Sequence, residues 1–192
     1  LRGRAFFKSA TYLPNICAVI AMGIIFSMLF EKNTGLINEV IFAMGANKVD
    51  WLTGTRFSKI PVIALNVWRN TPWFTMILLS GLLNISPEYY EAAKVDGANA
   101  FQRFFKITLP SLSNVMFFCF ITLTADSWKI FNEPFMLQGP GTSNVSLFQY
   151  MYESGFNVFK LGYASSIGCM LTLILLIVSV IQFIIRMKQG EV

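Results

Sequence analysis

Apolar length is the feature that most restricts what this chain can fold into. Crossing about 30 Å of hydrocarbon at about 1.5 Å per helical residue takes about 20 mostly apolar residues. Four stretches meet that requirement: residues 12–30, 60–83, 112–131 and 162–185. The last contains CMLTLILLIVSVIQFII and is the cleanest. The first carries Pro14 and Asn15, the second Asn66, Arg69, Asn70 and Pro72, the third Asp126 and Lys129. Backbone polar groups in lipid must be satisfied within their own segment, so the sequence predicts an all-α polytopic membrane helix bundle with four spans. Charged residues make up only 13% of the chain, against roughly a quarter in soluble domains. No Ser-, Gly- or Pro-rich linker divides it, so residues 1–192 are read as one transmembrane domain.

Several function classes are disfavoured. The net charge of +5 comes from basic residues that border apolar runs, the pattern of membrane flanks and not of a nucleic-acid interface. Cys17, Cys119 and Cys169 lie far apart inside apolar runs, without metal-ligand spacing, and are expected to be buried small hydrophobes. The chain has no His, the commonest general base and metal ligand, and no paired carboxylates in its spans, so neither an enzyme nor a metal site is expected. No G-x-x-x-x-G-K-[ST] phosphate loop occurs, so any ATP would be bound by a partner and the chain needs no cofactor of its own. The basic start followed by an apolar run is like a signal peptide, but the run is too long and no small-x-small cleavage site follows. A first residue other than Met points to a fragment or a processed chain.

Between the first two runs, Leu36, Ile37, Val40, Ile41 and Met44 recur at helical spacing, which predicts a short interfacial helix. Between the last two, Gly139-Pro140-Gly141 marks a turn. Tyr150, Tyr152, Phe156 and Phe159 then suit a membrane–water boundary. Four spans place both ends on one side. That side holds Arg2, Arg4, Lys8, Lys94, Arg103, Lys106, Arg186 and Lys188, against Lys32, Lys48, Arg56, Lys59 and Lys160 on the other. Eight against five makes the first side cytoplasmic.

On this topology residues 84–111 form a cytoplasmic loop. Ser86 is a good N-cap, Pro87 suits the first helical position, and Glu88 and Glu91 favour the positive end of the helix dipole. PEYYEAAKVD is therefore a short helix that Gly97 is placed to end in a left-handed conformation. ANAFQRFFKITL predicts a second helix, with Phe101, Phe104, Phe105 and Leu109 on roughly one face. Charges that merely keep a loop wet, and a Glu91–Lys94 pair, are the plainer explanation.

The spelling adds to this. Glu91-Ala92-Ala93, three residues, Gly97, nine residues, Ile107, one residue, and Leu109-Pro110 resembles the EAA signature of inner-membrane permease subunits of binding-protein-dependent ABC importers. Asp96-Gly97-Ala98 also matches. TYLPNICAVIAMGIIFSMLF, NVWRNTPWFTMILLSGLLNIS, LQGPGTSNVSLFQYMYESGF and LGYASS are similar to segments of the carbohydrate-uptake branch, the maltose and multiple-sugar permeases, so the resemblance covers essentially the whole chain. Ser111, Asn114 and Lys129 depart from it.

The resemblance implies a type I ABC importer transmembrane domain whose amino-terminal span or spans are missing, in a multi-pass protein of the bacterial inner membrane. It implies three protein partners: a second permease subunit, a cytoplasmic ATP-binding subunit and an extracytoplasmic solute-binding protein. Glu91 and Gly97, supported by Ala92, Ala93, Ile107, Leu109 and Pro110, would couple the chain to the ATPase.

An ionisable group inside a span faces the bundle interior or water, or costs several kcal/mol. Asn66 and Arg69 are therefore candidates for a substrate pathway, with Pro72 kinking the helix there; the alternative is an Arg69 bonded to another helix. Trp128 and Asn132, at i and i+4, would offer a sugar both stacking and hydrogen bonding on one helix face, and Asp126 and Lys129 form an i,i+3 pair. The competing function is a stand-alone channel or ion-coupled carrier that uses Arg69 and Asp126 and needs no docking loop.

Overall fold

Helix signals are dense along the chain, and strand signals are not. The computed structural model describes residues 11–188, and among these no strand occurs. Arg2, Arg4 and Lys8 lie outside the described residues. Residues 11–16 are helical, followed by α1 (Val19–Leu29), α2 (Leu36–Ala43) and α3 (Lys59–Leu83). The loop holds α4 (Pro87–Val95), α5 (Ala100–Arg103), a π-helical turn (Phe104–Thr108) and α6 (Leu109–Ser111). Then come α7 (Ser113–Trp128), α8 (Asn132–Met136), α9 (Leu147–Tyr152), a second π-helical turn (Glu153–Asn157) and α10 (Leu161–Lys188).

The expected spans are realised unevenly. Among the described residues one helix, α10, is both long and apolar enough to cross a bilayer. The first run is broken: Ala18 is extended (φ −60°, ψ 128°), and Asn15 Nδ2 donates to the Arg69 carbonyl at 3.4 Å. α1, at 11 residues, reaches only about 16 Å. α3 is long enough and runs unbroken through Pro72, but Asn66, Arg69, Asn70 and Thr71 dilute its apolarity. The third run starts at a bend: Ala100–Ser111 and Ser113–Met136 meet at 63°, and only the two together are long and apolar enough to cross. Counting apolar residues finds the helices and misses these breaks, because backbone geometry and side-chain hydrogen bonds decide them.

The chain forms two compact units. The first comprises the residues up to Pro72 with Asp126–Leu175, the second Trp73–Ala125 with the residues from Leu176 onward. In the first unit Val62, Leu65 and Leu137 form a core, against which Met22, Phe26, Leu52 and Ile130 pack. The predicted short helix α2 is present, with Leu36, Val40 and Met44 exposed. Its pivot is the fully buried Asn38. Asn38 Nδ2 donates to the carbonyls of Lys32 (3.0 Å) and Val49 (2.8 Å), while its Oδ1 accepts from Val49 N–H (3.0 Å) and Trp51 Nε1 (2.9 Å). One amide thus ties residues 31–51 together.

In the second unit Gly81 of α3 lets α7 approach closely. A Cβ there would lie 2.9 Å from Leu112 Cδ2 and 3.0 Å from Val115 Cγ2. Of the cysteines, which are all free, only Cys119 is buried; Cys17 is half-buried and Cys169 exposed. Cys169 sits on a helix with apolar side chains all round, where sequence alone cannot separate exposed from core-facing positions.

Candidate functional site

The polar loop folds as its caps dictate. Ser86 Oγ accepts from Glu88 N–H at 3.4 Å and Pro87 opens α4. At the other end Gly97 takes φ +75°. Ala98 N–H reaches the Ala93 carbonyl at 2.8 Å and Gly97 N–H the Lys94 carbonyl at 3.1 Å, the paired bonds of a Schellman cap. α5 begins with a reciprocal capping box: Gln102 N–H donates to Asn99 Oδ1 at 2.8 Å, and Asn99 N–H to Gln102 Oε1 at 2.9 Å. The N-x-x-Q spacing was the available signal for that box.

The second helix is not uniform. Phe104–Thr108 widens into a π-helical turn, a form common at functional positions. Thr108 is buried there, and its hydroxyl lies 2.9 Å from Tyr90 Oη, which joins the two helices of the loop. Phe105 packs against Phe101 and Phe104 with ring centroids 4.5 and 5.1 Å apart, yet all three remain exposed.

The loop residues singled out from the sequence form one surface region. Glu91, Ala92, Gly97 and Pro110 are exposed, while Ala93, Ile107 and Leu109 are half-buried. Among the described residues no salt bridge joins Glu91 to Lys94. The Glu91 carboxylate is thus presented outward with its charge uncompensated. A capped, uncommitted acidic helix is suited to meeting a cationic or hydrogen-bonding partner.

The polar groups of the first unit behave differently. Arg69 Nη1 donates to Glu133 Oε1 at 2.9 Å, and Glu133 is only 3% exposed. Arg69 is therefore bonded to another helix, α8, as the alternative reading of the sequence had it. Glu133 itself was missed, although an arginine within an apolar run demands an acidic partner and Glu133 lies in the short list of acids near the spans. Asp126 and Lys129 pair at 3.4 Å and stay exposed.

Trp128 and Asn132 do not share a helix face. α7 ends at Trp128, and Asn132 opens α8 after a non-helical link in which Phe131 has φ −134°. Asn66 and Trp128 do come together, lining a cavity of about 620 Å³ with Lys59, Ser143, Asn144 and Ser146. Arg69 and Asn132 are not among its lining residues.

The loop that lines this cavity is firmly built. Asn144 is buried and donates to the Leu137 carbonyl, and its Oδ1 accepts from Gly139 N–H at 2.6 Å. Ser146 Oγ accepts from Gln149 N–H at 3.0 Å, capping α9, and donates to the Ile130 carbonyl at 2.5 Å. The turn at Gly139-Pro140-Gly141 is where the sequence placed it, with Gly141 at φ +59°. With Asn144 and Ser146 bonded within their loop and Ser143 to Ser58 at 3.1 Å, the cavity's Asn66 amide, Lys59 ammonium and Trp128 indole stand among apolar side chains.

An all-helical chain with a capped, exposed helix pair and a cavity that sets a few amide, hydroxyl and indole groups among apolar side chains is the class of protein defined by these features. The family model described as "Binding-protein-dependent transport system inner membrane component" matches residues 2–189, and the chain belongs to that family. It is 32% identical to the arabinooligosaccharides transport system permease protein AraP of Bacillus subtilis (strain 168), over 93% of this chain and 58% of the relative. To the trehalose/maltose transport system permease protein MalF of Thermococcus litoralis it is also 32% identical, over 100% of this chain and 64% of the relative. The chain spans about three fifths of the length of the curated relatives it matches. Its fold is shared with a solved bacterial ABC transporter involved in the import of the acidic polysaccharide alginate, with a TM-score of 0.84 at 20% identity, over 98% of this chain and 68% of that one.

Proposed function

We propose that this chain is a permease subunit of an ATP-driven carbohydrate importer in the bacterial inner membrane, and that residues 84–111 couple it to a cytoplasmic ATPase. One observation carries the reading: the segment bearing the EAA signature is a doubly capped helix pair on which Glu91, Ala92 and Gly97 are exposed and Ala93 is half-buried. Glu91, Ala92, Ala93 and Gly97 present the contact surface. Ile107, Leu109 and Pro110 hand its displacement to α7. ATP is hydrolysed by the partner, a second permease subunit completes the pathway, and an extracytoplasmic solute-binding protein delivers the cargo. One solved structure of the same fold is described as an alginate transporter in complex with an alginate pentasaccharide-bound periplasmic protein, which supports that delivery step.

The names of the relatives favour a sugar or oligosaccharide as cargo. In this reading the cavity lined by Asn66 and Trp128 is where the permeating carbohydrate touches this subunit, the indole stacking on a sugar face and Asn66 bonding its hydroxyls. Arg69, held by Glu133, positions α3 beside that cavity.

Co-purification tests the coupling reading. The wild-type chain should retain its ATPase subunit through membrane extraction, whereas Gly97→Asp and Glu91→Arg should lose the subunit or lose ATP-dependent uptake. Normal uptake in Glu91→Arg would instead favour the stand-alone channel or carrier.

A further inference from the structure

Arg186 is a cation that the proposed function leaves unused. It lies in the last turn of α10, where the helix dipole favours positive charge, and it is only 9% exposed. Its Nη2 donates to Ser113 Oγ at 3.0 Å and to Asn114 Oδ1 at 2.8 Å, and its guanidinium stands 5.1 Å over the Phe117 ring. One turn earlier Gln182 Nε2 donates to Thr124 Oγ1 at 2.9 Å. The carboxyl-terminal helix is thus fastened to α7 at two levels.

The position of the fastening matters. Ser113 and Asn114 are the first two residues of α7, directly after the bend that separates it from the polar loop. Three groups grip this bend: Tyr90 through Thr108, Gly81 through Leu112 and Val115, and Arg186 through Ser113 and Asn114. The first is a neutral hydrogen bond and the second is close packing. Arg186 alone supplies charge-assisted bonds, which are about twice as strong as neutral ones. Unpairing a guanidinium this deeply buried is costly, so the start of α7 and the end of α10 are held as one piece.

We infer that Arg186 is a positioning residue for coupling: it locks α10 to the first turn of α7, so that displacement of the 84–111 loop moves two helices instead of one. The inference rests on the reading of that loop as the ATPase contact. Asn114, one of the positions at which this chain departs from the signature's usual surroundings, is assigned as the acceptor of the lock.

The test uses the assembled transporter, with its partner subunits and binding protein in proteoliposomes, and measures ATP hydrolysis and solute uptake on the same preparations. Arg186→Met should keep hydrolysis within about twofold and lower solute moved per ATP about tenfold, the scale of one charge-assisted bond. Arg186→Lys keeps the charge without the fork and should lie between. Ser113→Ala with Asn114→Ala should lower the ratio in the same direction, and combining all three should lower it by less than the two losses together. Unchanged uptake per ATP, or uptake and hydrolysis falling in parallel, would overturn the inference. If Arg186→Met does not assemble, Ser113→Ala, which deletes one hydroxyl, carries the same test with a loss of about threefold. No ATP-driven uptake in the wild type would overturn the permease reading itself, an outcome distinct from a wild type that couples and an Arg186 variant that couples equally well.

Discussion

The first unit and the polar loop of the second spend their polar side chains in opposite ways. In the first unit Asn38, Glu133, Asn144 and Gln149 are all buried, and each is bonded to a partner: Trp51 and the backbone around it, Arg69, the Leu137–Gly139 backbone, and Glu153. In the loop the charged residues Glu88, Glu91, Lys94, Asp96 and Lys106 are exposed, and the polar bonds that matter are helix caps. A buried polar group held by a partner fixes one geometry, because any alternative leaves it unpaired. An exposed and capped helix pair keeps its own shape while leaving its surface for something else. The contrast is the one that the proposed division of labour requires, with framework in the first unit and contact at the loop.

The sharpest way to break that contrast is to remove one partner of the Arg69–Glu133 pair. Arg69→Leu should cost about 3 kcal/mol of stability by stranding the buried Glu133 carboxylate, read by thermal unfolding in detergent, and Glu133→Leu should cost less, because the Arg69 side chain it strands is only half-buried. The double variant should recover most of the loss. If either single variant is neutral, the pair is not framework. Next, Asn38→Leu should cost about 2 kcal/mol, because Val49 N–H and Trp51 Nε1 are left without acceptors. The same unfolding measurement checks it, with Trp51 fluorescence reporting the local change. In the loop a smaller effect is expected: Gly97→Ala forces an L side chain to φ +75°, a strain of about 1 kcal/mol. No steric clash accompanies it, since a Cβ there meets nothing within 4 Å. Hydrogen exchange of the Ala98 amide should rise while global unfolding barely moves.

The smallest effect is a pH dependence confined to residues 31–53. Thr34, through its N–H and hydroxyl, and the Asn33 N–H hold the Glu31 carboxyl below its usual value of 4.5; the Thr53 hydroxyl and N–H do the same for Asp50, below 3.8. A carboxylate whose folded pKa is depressed contributes its stability fully above the unfolded pKa and loses it as pH falls through the folded value. Local protection of residues 31–53 should therefore be constant from neutral pH down to about 5 and decline below about 4. Protection that rises on acidification would contradict the assignment.

Much of the loop was legible in the sequence because its determinants are local. Ser86, Pro87, Glu88 and Gly97 each act within a few residues of themselves, and the helix they delimit is where they place it. The bend at Leu112 and the π-helical turn were not legible. They depend on Tyr90 meeting Thr108, Gly81 meeting Val115 and Arg186 reaching Asn114, contacts between residues 18 to 72 positions apart. The cavity was half legible: Asn66 and Trp128 were picked for residue type inside apolar runs, whereas Ser143, Asn144 and Ser146 come from a turn that reads only as a connection. The expected Trp128–Asn132 face failed because helical spacing was extended past the end of α7.

Cysteine labelling from each side of the membrane tests the central claim most directly. With Cys17, Cys119 and Cys169 replaced by alanine, Val95→Cys places a thiol at a loop position that is 89% exposed. A membrane-impermeant maleimide should react with it in inside-out vesicles, less so when the ATPase subunit is bound, and leave it untouched in intact spheroplasts. Rapid labelling in intact spheroplasts would put the loop on the outer face and end its role as the contact with a cytoplasmic ATPase.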